Sequence, residues 1–525
     1  MRKYESEYTG YTFDNSNASW TSKEEVKSKL LAVDLDSNEP IEAGGLPVMV
    51  EGRTAYIDTN DGHTAFEAIS GMKKSICGFM PLIYMLGRAS ENMIITDPKG
   101  ELYNRTSGYL RTLGYKTICL NFRTLDQDAF NIMEYPAITY RYKDKDKGAM
   151  LLSNMLEALA AKQKRSSKVD PYWCDTATKF MYGTGMIMFE SYPRMESINV
   201  LSWANMNTED QISHLRSIAS TVKTKNAAMT GLREVLSEPE KTLMSTVTTA
   251  GTFLAPFLKN EKLVRMLSHS TFSLGDLCKP KTALYIITDD TTTTYDEIVG
   301  IIISQIQTYL IERAYGLPHE HLVTRVNNIL DEFATYPLPP EQIQNALSTN
   351  RSRGIRYYLC IQSIAGLKAQ YPEVYDALLL NCATTVYMGS TESEMLARIS
   401  RQCGNTNITL DGTEKPLISE AELMALKKDW SFKEAIYLNL SESIKYCTEL
   451  PSIETYGITD ERPCIKHNEY PDVDVYTIDE LISEVNSGKV YIPFSELKKT
   501  RGVKDKITTK ELEEKFNLLF GPITD

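Results

Sequence analysis

The sequence predicts an α/β protein: an open parallel sheet interrupted by an all-helical segment and followed by a short helical tail. Three observations carry this. Short apolar runs bounded by turn residues recur at Met93–Thr96, Thr117–Asn121, Ala283–Thr288, Val326–Leu330, Tyr357–Ile361, Thr384–Met388 and Ala435–Leu440, with helix-length segments between most of them. From residue 148 to 255 the periodicity is helical, with no comparable strand signal. Beyond about residue 460 only short segments with capping-box spacing remain, at Thr477–Glu480 and Thr508–Glu511.

Taken in order, residues 1–18 are rich in Tyr, Asn and Ser and read as a flexible arm. Ser22 with Glu25 forms a capping box for a helix over Glu24–Leu31. Leu46–Val50 and Thr54–Asp58 read as a hairpin split by Glu51-Gly52. A helix over Glu101–Leu113 follows the strand Met93–Thr96, and Gly114 closes it where a helix C-terminus favours glycine. In the helical segment Leu151, Leu152, Met155, Leu156 and Leu159 line one face, and Trp173, Ala177, Phe180, Met181 and Met188 another. Ser237 with Glu240 gives a second capping box, before Leu243–Phe253. The division is therefore 1–18 arm, 19–147 first part of the sheet domain, 148–255 all-α domain, 256–460 second part of the sheet domain, and 461–525 tail.

Composition narrows the function. The 525 residues are 42% hydrophobic and 24% charged, ordinary for a globular chain. A net charge of −12 excludes a general polyanion sponge, so any nucleic-acid contact needs local basic patches. Nine cysteines without a CxxC pair fit a reducing compartment rather than a disulfide framework or zinc site. Six histidines form no HExxH or metal-spaced cluster. No signal peptide is visible, and the longest nearly apolar stretch, Ser75–Gly87, is shorter than the ~20 residues of a membrane span.

The chemistry-bearing residues sit at strand ends. Asp331-Glu332 follows Ile329-Leu330, and strand carboxyl ends of an open α/β sheet face the ligand crevice. In a nucleotide hydrolase the first acid holds magnesium and the second polarises the attacking water. The same pair also reads as the start of an exposed loop, and polar Asn327 and Asn328 sit oddly in a buried strand. Asp97-Pro98-Lys99-Gly100-Glu101 marks a second strand end. His63 reads as a packing or hydrogen-bonding residue.

These stretches resemble one family. His63-Thr64, MIITDPKGELYNRTSGYLRTLGY at Met93–Tyr115, Asn131 after Phe130, ILDEFATYP at Ile329–Pro337, NRSRGIRYYLCIQSIAGLKAQY at Asn350–Tyr371 and NCATTVYMGSTESEMLARISRQCG at Asn381–Gly404 are similar, in collinear order, to TraG/TraD-type coupling proteins of type IV secretion and conjugation. The resemblance implies a RecA-like P-loop NTPase-type sheet with an inserted all-α domain. It implies ATP and magnesium as cofactors, with Asp331 and Glu332 as the Walker B pair and Gln362 sensing the terminal phosphate. It also implies Arg351 and Arg353 facing a neighbouring subunit's nucleotide.

The chain departs from the family at the P-loop. In G-x-x-x-x-G-K-[ST] the glycines let backbone N–H groups wrap the phosphates, the lysine neutralises charge and the hydroxyl holds magnesium. The corresponding segment is Ala68-Ile-Ser-Gly-Met-Lys73-Lys74-Ser75, which keeps Lys74 and Ser75 but has Ala68 and Lys73 at the glycine positions. The Lys73 side chain is expected to intrude on the phosphates, a left-handed conformation there costs roughly 1–2 kcal/mol, and Glu67 adds negative charge beside them. Nucleotide binding is therefore expected to be weakened or lost.

The implied role is recruitment of relaxase-bound DNA to a type IV secretion channel and its ATPases, within a homo- or hetero-hexamer. The alternative is a non-hydrolysing paralogue acting as a docking or assembly subunit. The expected place is the bacterial cytoplasm at the membrane's cytoplasmic face, reached through a partner or through an anchor missing from this chain, which is either a soluble paralogue or a piece of a longer protein. Lys162, Lys164, Arg165 and Lys168 form a basic loop that could meet single- or double-stranded DNA, and Lys223 with Lys225 another; such runs also read as solvated surface.

Overall fold

Strands buried on both faces read as continuous apolar runs, and seven such strands form the centre of this molecule. A computed structural model describes residues 4–5, 12–13, 18–37, 39–165, 170–221, 227–288, 295–406, 415–457 and 463–487. Leu31–Asp34 (β1), Leu46–Glu51 (β2) and Thr54–Asp58 (β3) make a small antiparallel sheet in the order β1-β3-β2. The main sheet contains Thr64–Ala68 (β4), Asn92–Thr96 (β5), Lys116–Asn121 (β6), Thr282–Ile287 (β7), Val326–Leu330 (β8), Ile355–Ile361 (β9), Thr384–Gly389 (β10), Phe432–Asn439 (β11) and Ile444–Pro451 (β12). Its order is β12-β11-β10-β4-β9-β8-β5-β7-β6. Strands β4 to β10 pair in parallel, and β11 and β12 extend the sheet antiparallel beyond β10.

Alternation along each strand divides the interior in two. Ile94, Ile118, Leu120, Leu284 and Ile286 face a core shared with the helices of the inserted segment. Met93, Ile95, Cys119, Tyr285 and Ile287 face a second core, completed by the small sheet and the helix Met80–Arg88. Between Lys145 and Ser268 the regular elements among the described residues are all helices. Trp203 is fully buried there and its indole N–H donates to Thr184 Oγ1 at 3.1 Å, which meets the one polar demand of that ring. Gly183 permits the close contact of two helices, since a Cβ on it would lie 2.6 Å from Leu232 Cβ.

The polar residues of β8 have a structural reason. Asn327 donates to Glu91 Oε2 at 2.9 Å and accepts from Arg356 Nε at 2.8 Å, while Arg356 reaches the same carboxylate at 2.6 Å. Asn328 donates to the carbonyl of Arg356 at 3.2 Å. Buried polar groups are tolerated when paired in this way.

Several sequence expectations change. The helix after Ser22 is Lys23–Lys29, and Leu31 already belongs to β1. Ser237 does not cap a helix: its hydroxyl donates to the Glu234 carbonyl at 2.7 Å, and Pro239 stands before the helix Glu240–Leu254. The pattern matched a capping box, but the preceding helix, Ala227–Leu236, claims Ser237 first. Thr477 and Glu480 do cap Ile478–Asn486 reciprocally. The segment before that helix crosses the molecule: Cys464 N–H donates to Ser107 Oγ at 3.1 Å, and Arg194 meets both oxygens of Asp474 at 2.7 and 2.8 Å. Apart from a two-residue pairing of Tyr4–Glu5 with Thr12–Phe13 and residue 18, the arm lies outside the described residues, as do Thr508–Glu511, Lys168, Lys223 and Lys225. The main chain at Lys162, Lys164 and Arg165 ends the helix Lys145–Arg165 rather than forming a loop, and their side chains are not described. Among the described residues no helix is long and apolar enough to cross a membrane.

Candidate functional site

Parallel strands bring their carboxyl ends to one edge of the sheet, and the chemistry gathers there. Strand β4 ends at Ala68, β8 at Leu330 and β9 at Ile361, with β9 lying between the other two. The chain leaving β4 makes a loop over residues 69–73 and enters a π-helical turn, Lys74–Phe79, that continues as Met80–Arg88. Lys73 has φ 60° and ψ 23°, and Gly71 has φ 80°, so the loop takes left-handed backbone at both positions. Such conformations in non-glycine residues, like short π turns, are enriched at functional sites.

Lys74 and Asp331 meet at 2.7 Å, both with little exposed side chain. Lys74 Nζ also lies 3.4 Å from Cys360 Sγ, near the end of β9. Burial works against the Lys74 charge, but the Cys360 sulfur and the Asp331 and Glu332 carboxylates outweigh it and raise the ammonium pKa. Burial pushes the Cys360 thiol up to about 12. Asp331 Oδ1 accepts from the Glu332 N–H at 2.9 Å, and its carbonyl accepts from Thr96 Oγ1 at 2.9 Å, which ties β8 to β5. Glu332 is left-handed, φ 54° and ψ 42°, and its Oε1 accepts from Gln362 Nε2 at 3.0 Å. The structure thus brings together Lys74, Asp331, Glu332 and Gln362, with Ser75 next to Lys74 in the same turn.

The adjoining strand end adds Asp97, whose carboxylate accepts from the Tyr103 N–H at 2.8 Å. Burial raises its pKa to about 6, opposed by those backbone N–H bonds and helped by the nearby Asp331. Arg123 donates to the carbonyls of Pro98 at 2.6 Å and Lys99 at 3.0 Å, holding this loop in place.

Two objections to the P-loop change. Glu67 is fully buried and ion-paired with Arg398, so its negative charge is compensated. The Lys73 amine donates to the carbonyl of Asp429, a partner outside the loop. What remains of the departure is the Cβ of Ala68 and of Lys73, together with the left-handed strain at Lys73.

Arg351 and Arg353 are not part of this cluster within the chain. They precede β9, whose seven residues span roughly 20 Å, and so lie at the opposite edge from Gln362. Arg353 is buried, donating to the Thr349 carbonyl at 2.6 Å and to the Tyr315 hydroxyl at 3.0 Å while lying over that ring. Arg351 is exposed on a surface cleft of about 480 Å³ shared with Asp61, Ser348 and Ser352. Both therefore lie at the sheet edge away from Lys74 and Asp331 of the same chain. His63, at the amino end of β4, accepts from the Tyr357 N–H at 3.2 Å and packs edge-on against that ring.

The donor set fits a phosphorylated ligand with a hard cation. The first N–H groups of the turn beginning at Lys74 have no partner within the helix, Lys74 supplies positive charge, and Ser75 and Asp331 supply oxygen. Among the described residues no group of three or more His, Cys, Asp or Glu could hold a metal, and magnesium bound through one carboxylate and phosphate oxygens needs none.

Residues 13–435 match the family model described as Type IV secretory system Conjugative DNA transfer. The chain belongs to that family. A search of curated proteins finds no match. Among solved structures, the plasmid coupling protein TrwB in complex with the non-hydrolysable ATP analogue ADPNP superposes with a TM-score of 0.61 at 15% identity, covering 89% of this chain and 100% of that one. TrwB in complex with ADP and Mg2+ gives 0.59 at 15% identity, covering 86% and 95%. The unbound monoclinic form of the bacterial conjugative coupling protein TrwBdeltaN70 gives 0.57 at 16%, covering 84% and 96%. At these identities the likeness shows the fold, which is the RecA-like α/β fold expected from the sequence.

Sequence reasoning missed β4, Arg398, and the turn before β11 that touches the P-loop. The first had a signal, the short run Thr64-Ala-Phe-Glu-Ala68 buried at every position, disguised by its charged Glu67. Arg398 and the turn had none, because both act across large sequence separations.

Proposed function

We propose that this chain is a magnesium-nucleotide-dependent coupling protein that recruits relaxase-bound DNA to a type IV secretion channel. The observation that carries the reading is the 2.7 Å contact of Lys74 with Asp331 at one sheet edge, with Glu332 and Gln362 linked beside it. In this reading Lys74 holds phosphate by charge, and the Ser75 hydroxyl and Asp331 carboxylate hold the magnesium ion. Glu332 orients and polarises water, and Gln362, hydrogen-bonded to Glu332, reports the state of the terminal phosphate position. The bound nucleotide supplies the phosphoanhydride whose cleavage drives transfer. Arg351, exposed at the far edge, would serve a neighbouring subunit's site in a ring, and the all-α domain over 148–255 would face cargo and DNA. The nucleotide complexes of TrwB support the reading by analogy of fold.

The Cβ atoms at Ala68 and Lys73 favour weak binding, about tenfold below an intact P-loop, since removing one hydrogen bond to a phosphate oxygen costs about 1.4 kcal/mol. They are also the observation behind the second reading, a subunit that docks without hydrolysing. Titration with a labelled ATP analogue, with and without magnesium, tests the first reading, and phosphate release tests the second. Magnesium-dependent binding that Lys74→Ala abolishes is expected. Its absence in the unaltered chain would overturn the reading, and binding without phosphate release, with DNA and relaxase present, would favour the docking subunit.

A further inference from the structure

Because β11 runs antiparallel to β10, its amino end lies at the same sheet edge as the P-loop. The chain arrives there through a tight turn. Asp429 N–H donates to the Phe432 carbonyl at 3.0 Å, and Lys428 bridges to Lys433 across the turn. The wholly buried Lys433 amine donates to the carbonyls of Leu426 at 3.0 Å and Lys427 at 3.2 Å, fixing the turn from inside. Two contacts tie it to the P-loop: Lys73 donates to the Asp429 carbonyl, and Lys428 Nζ lies 3.5 Å from the Gly71 carbonyl. At its tip stands Trp430, 80% exposed. Trp203 is fully buried, and Trp20 and Trp173 are partly buried. A large aromatic side chain thus stands mostly in water on a turn braced against the P-loop segment.

We propose that Trp430 is the base-stacking residue of the nucleotide site, so that the ligand is a nucleoside triphosphate held at its phosphates by the P-loop and at its base by this turn. The inference rests on the reading above and extends it from phosphate to base. Both Lys73 and Lys428 serve it as positioning residues, keeping the turn at a fixed distance from the loop. Stacking of a base on an aromatic side chain is strong enough to change affinity roughly tenfold.

The test compares ATP with inorganic tripolyphosphate, each with magnesium, by calorimetry on the full chain and on Trp430→Ala, Trp430→Phe and Lys74→Ala. The expected result is an affinity for ATP about tenfold weaker in Trp430→Ala, mostly restored in Trp430→Phe, with tripolyphosphate unaffected by either. Lys74→Ala should lose both ligands. An equal loss of ATP and tripolyphosphate in Trp430→Ala, or no loss of either, overturns the stacking role and leaves the phosphate site standing. Failure of the unaltered chain to bind either ligand overturns both readings. Loss of binding to a labelled oligodeoxythymidylate with ATP affinity intact would assign the ring to DNA instead and overturn the proposal.

Discussion

The two edges of the main sheet bury charge in opposite ways. At the amino edge Arg356 is wholly buried and all three of its nitrogens are met: by Asn327 at 2.8 Å, by the Asn60 carbonyl at 3.2 Å, and by the Gly44 carbonyl and Glu91 at 3.0 and 2.6 Å. The Glu91 carboxylate also accepts from Gly44 N–H and Arg325. At the carboxyl edge Lys74 and Asp331 face each other beside two left-handed residues, Lys73 and Glu332. Left-handed residues accompany both clusters, since Ser90 beside Glu91 has φ 60°; the difference is that the Arg356 guanidinium is fully partnered, while Lys74 and Asp331 retain unused binding capacity. Neither buried charge nor backbone strain marks the site by itself; charge that keeps unused bonding capacity at the strand carboxyl ends does.

The largest expected effect belongs to the saturated edge. Glu91→Ala leaves a buried guanidinium without its anion and should lower unfolding free energy by about 3–5 kcal/mol. Urea denaturation measures it, and a loss below about 1 kcal/mol would mean that the two edges do not differ as described. Next is Lys74→Ala at the carboxyl edge, which should weaken magnesium-nucleotide binding at least about a hundredfold, or ~2.7 kcal/mol, while the far-UV circular dichroism stays unchanged. Binding within threefold of the unaltered chain would remove Lys74 from the site.

The edges should also titrate in opposite directions. Burial lowers the His63 pKa from 6.5 to about 4, so between those values the unfolded chain binds the proton and the folded chain does not. His63 therefore makes stability rise as pH rises through that window. Burial raises Asp97 from 3.8 to about 6, so the folded chain keeps a proton that the unfolded chain has lost, and stability falls as pH rises from about 4 to 6. His63→Gln should remove the rising component and Asp97→Asn the falling one, each on the order of 2 kcal/mol across its window. Melting curves at pH 4.5 and 6.5 read the difference, and slopes of the same sign for both variants would contradict the assignment.

Much of this was legible in the sequence. Buried parallel strands announce themselves as apolar runs, and Val326–Leu330 fell at the bounds expected. The Asp331-Glu332 pair was legible because it follows such a run. What was not legible depends on distant partners. Glu67 looked like an uncompensated charge because Arg398 lies far along the chain, and Asn327 looked out of place because Glu91 and Arg356 come from other strands and turns. The Ser237–Glu240 spacing misled because one serine had two helices to serve.

The smallest effect tests the strain itself. Lys73 holds φ 60°, a conformation that costs a side-chain-bearing residue roughly 1–2 kcal/mol and glycine almost nothing. Lys73→Gly relieves that cost, but it also loosens the unfolded chain by about 0.5–1 kcal/mol and removes the bond to the Asp429 carbonyl. The net gain in stability should therefore stay below about 1 kcal/mol. Lys73→Ala keeps the strain and loses the bond, so it should be the least stable variant. Lys73→Asn should fall between glycine and alanine, because asparagine tolerates the left-handed region better than most residues. Thermal unfolding of the three variants should rank them Gly, Asn, Ala in descending order, with the unaltered chain above Ala. Nucleotide affinity should rise in the glycine variant alone, because only there does the Cβ beside the phosphates disappear. If alanine proved as stable as glycine, Lys73 would carry no strain, and its left-handed backbone would be no obstacle to a phosphate-binding turn.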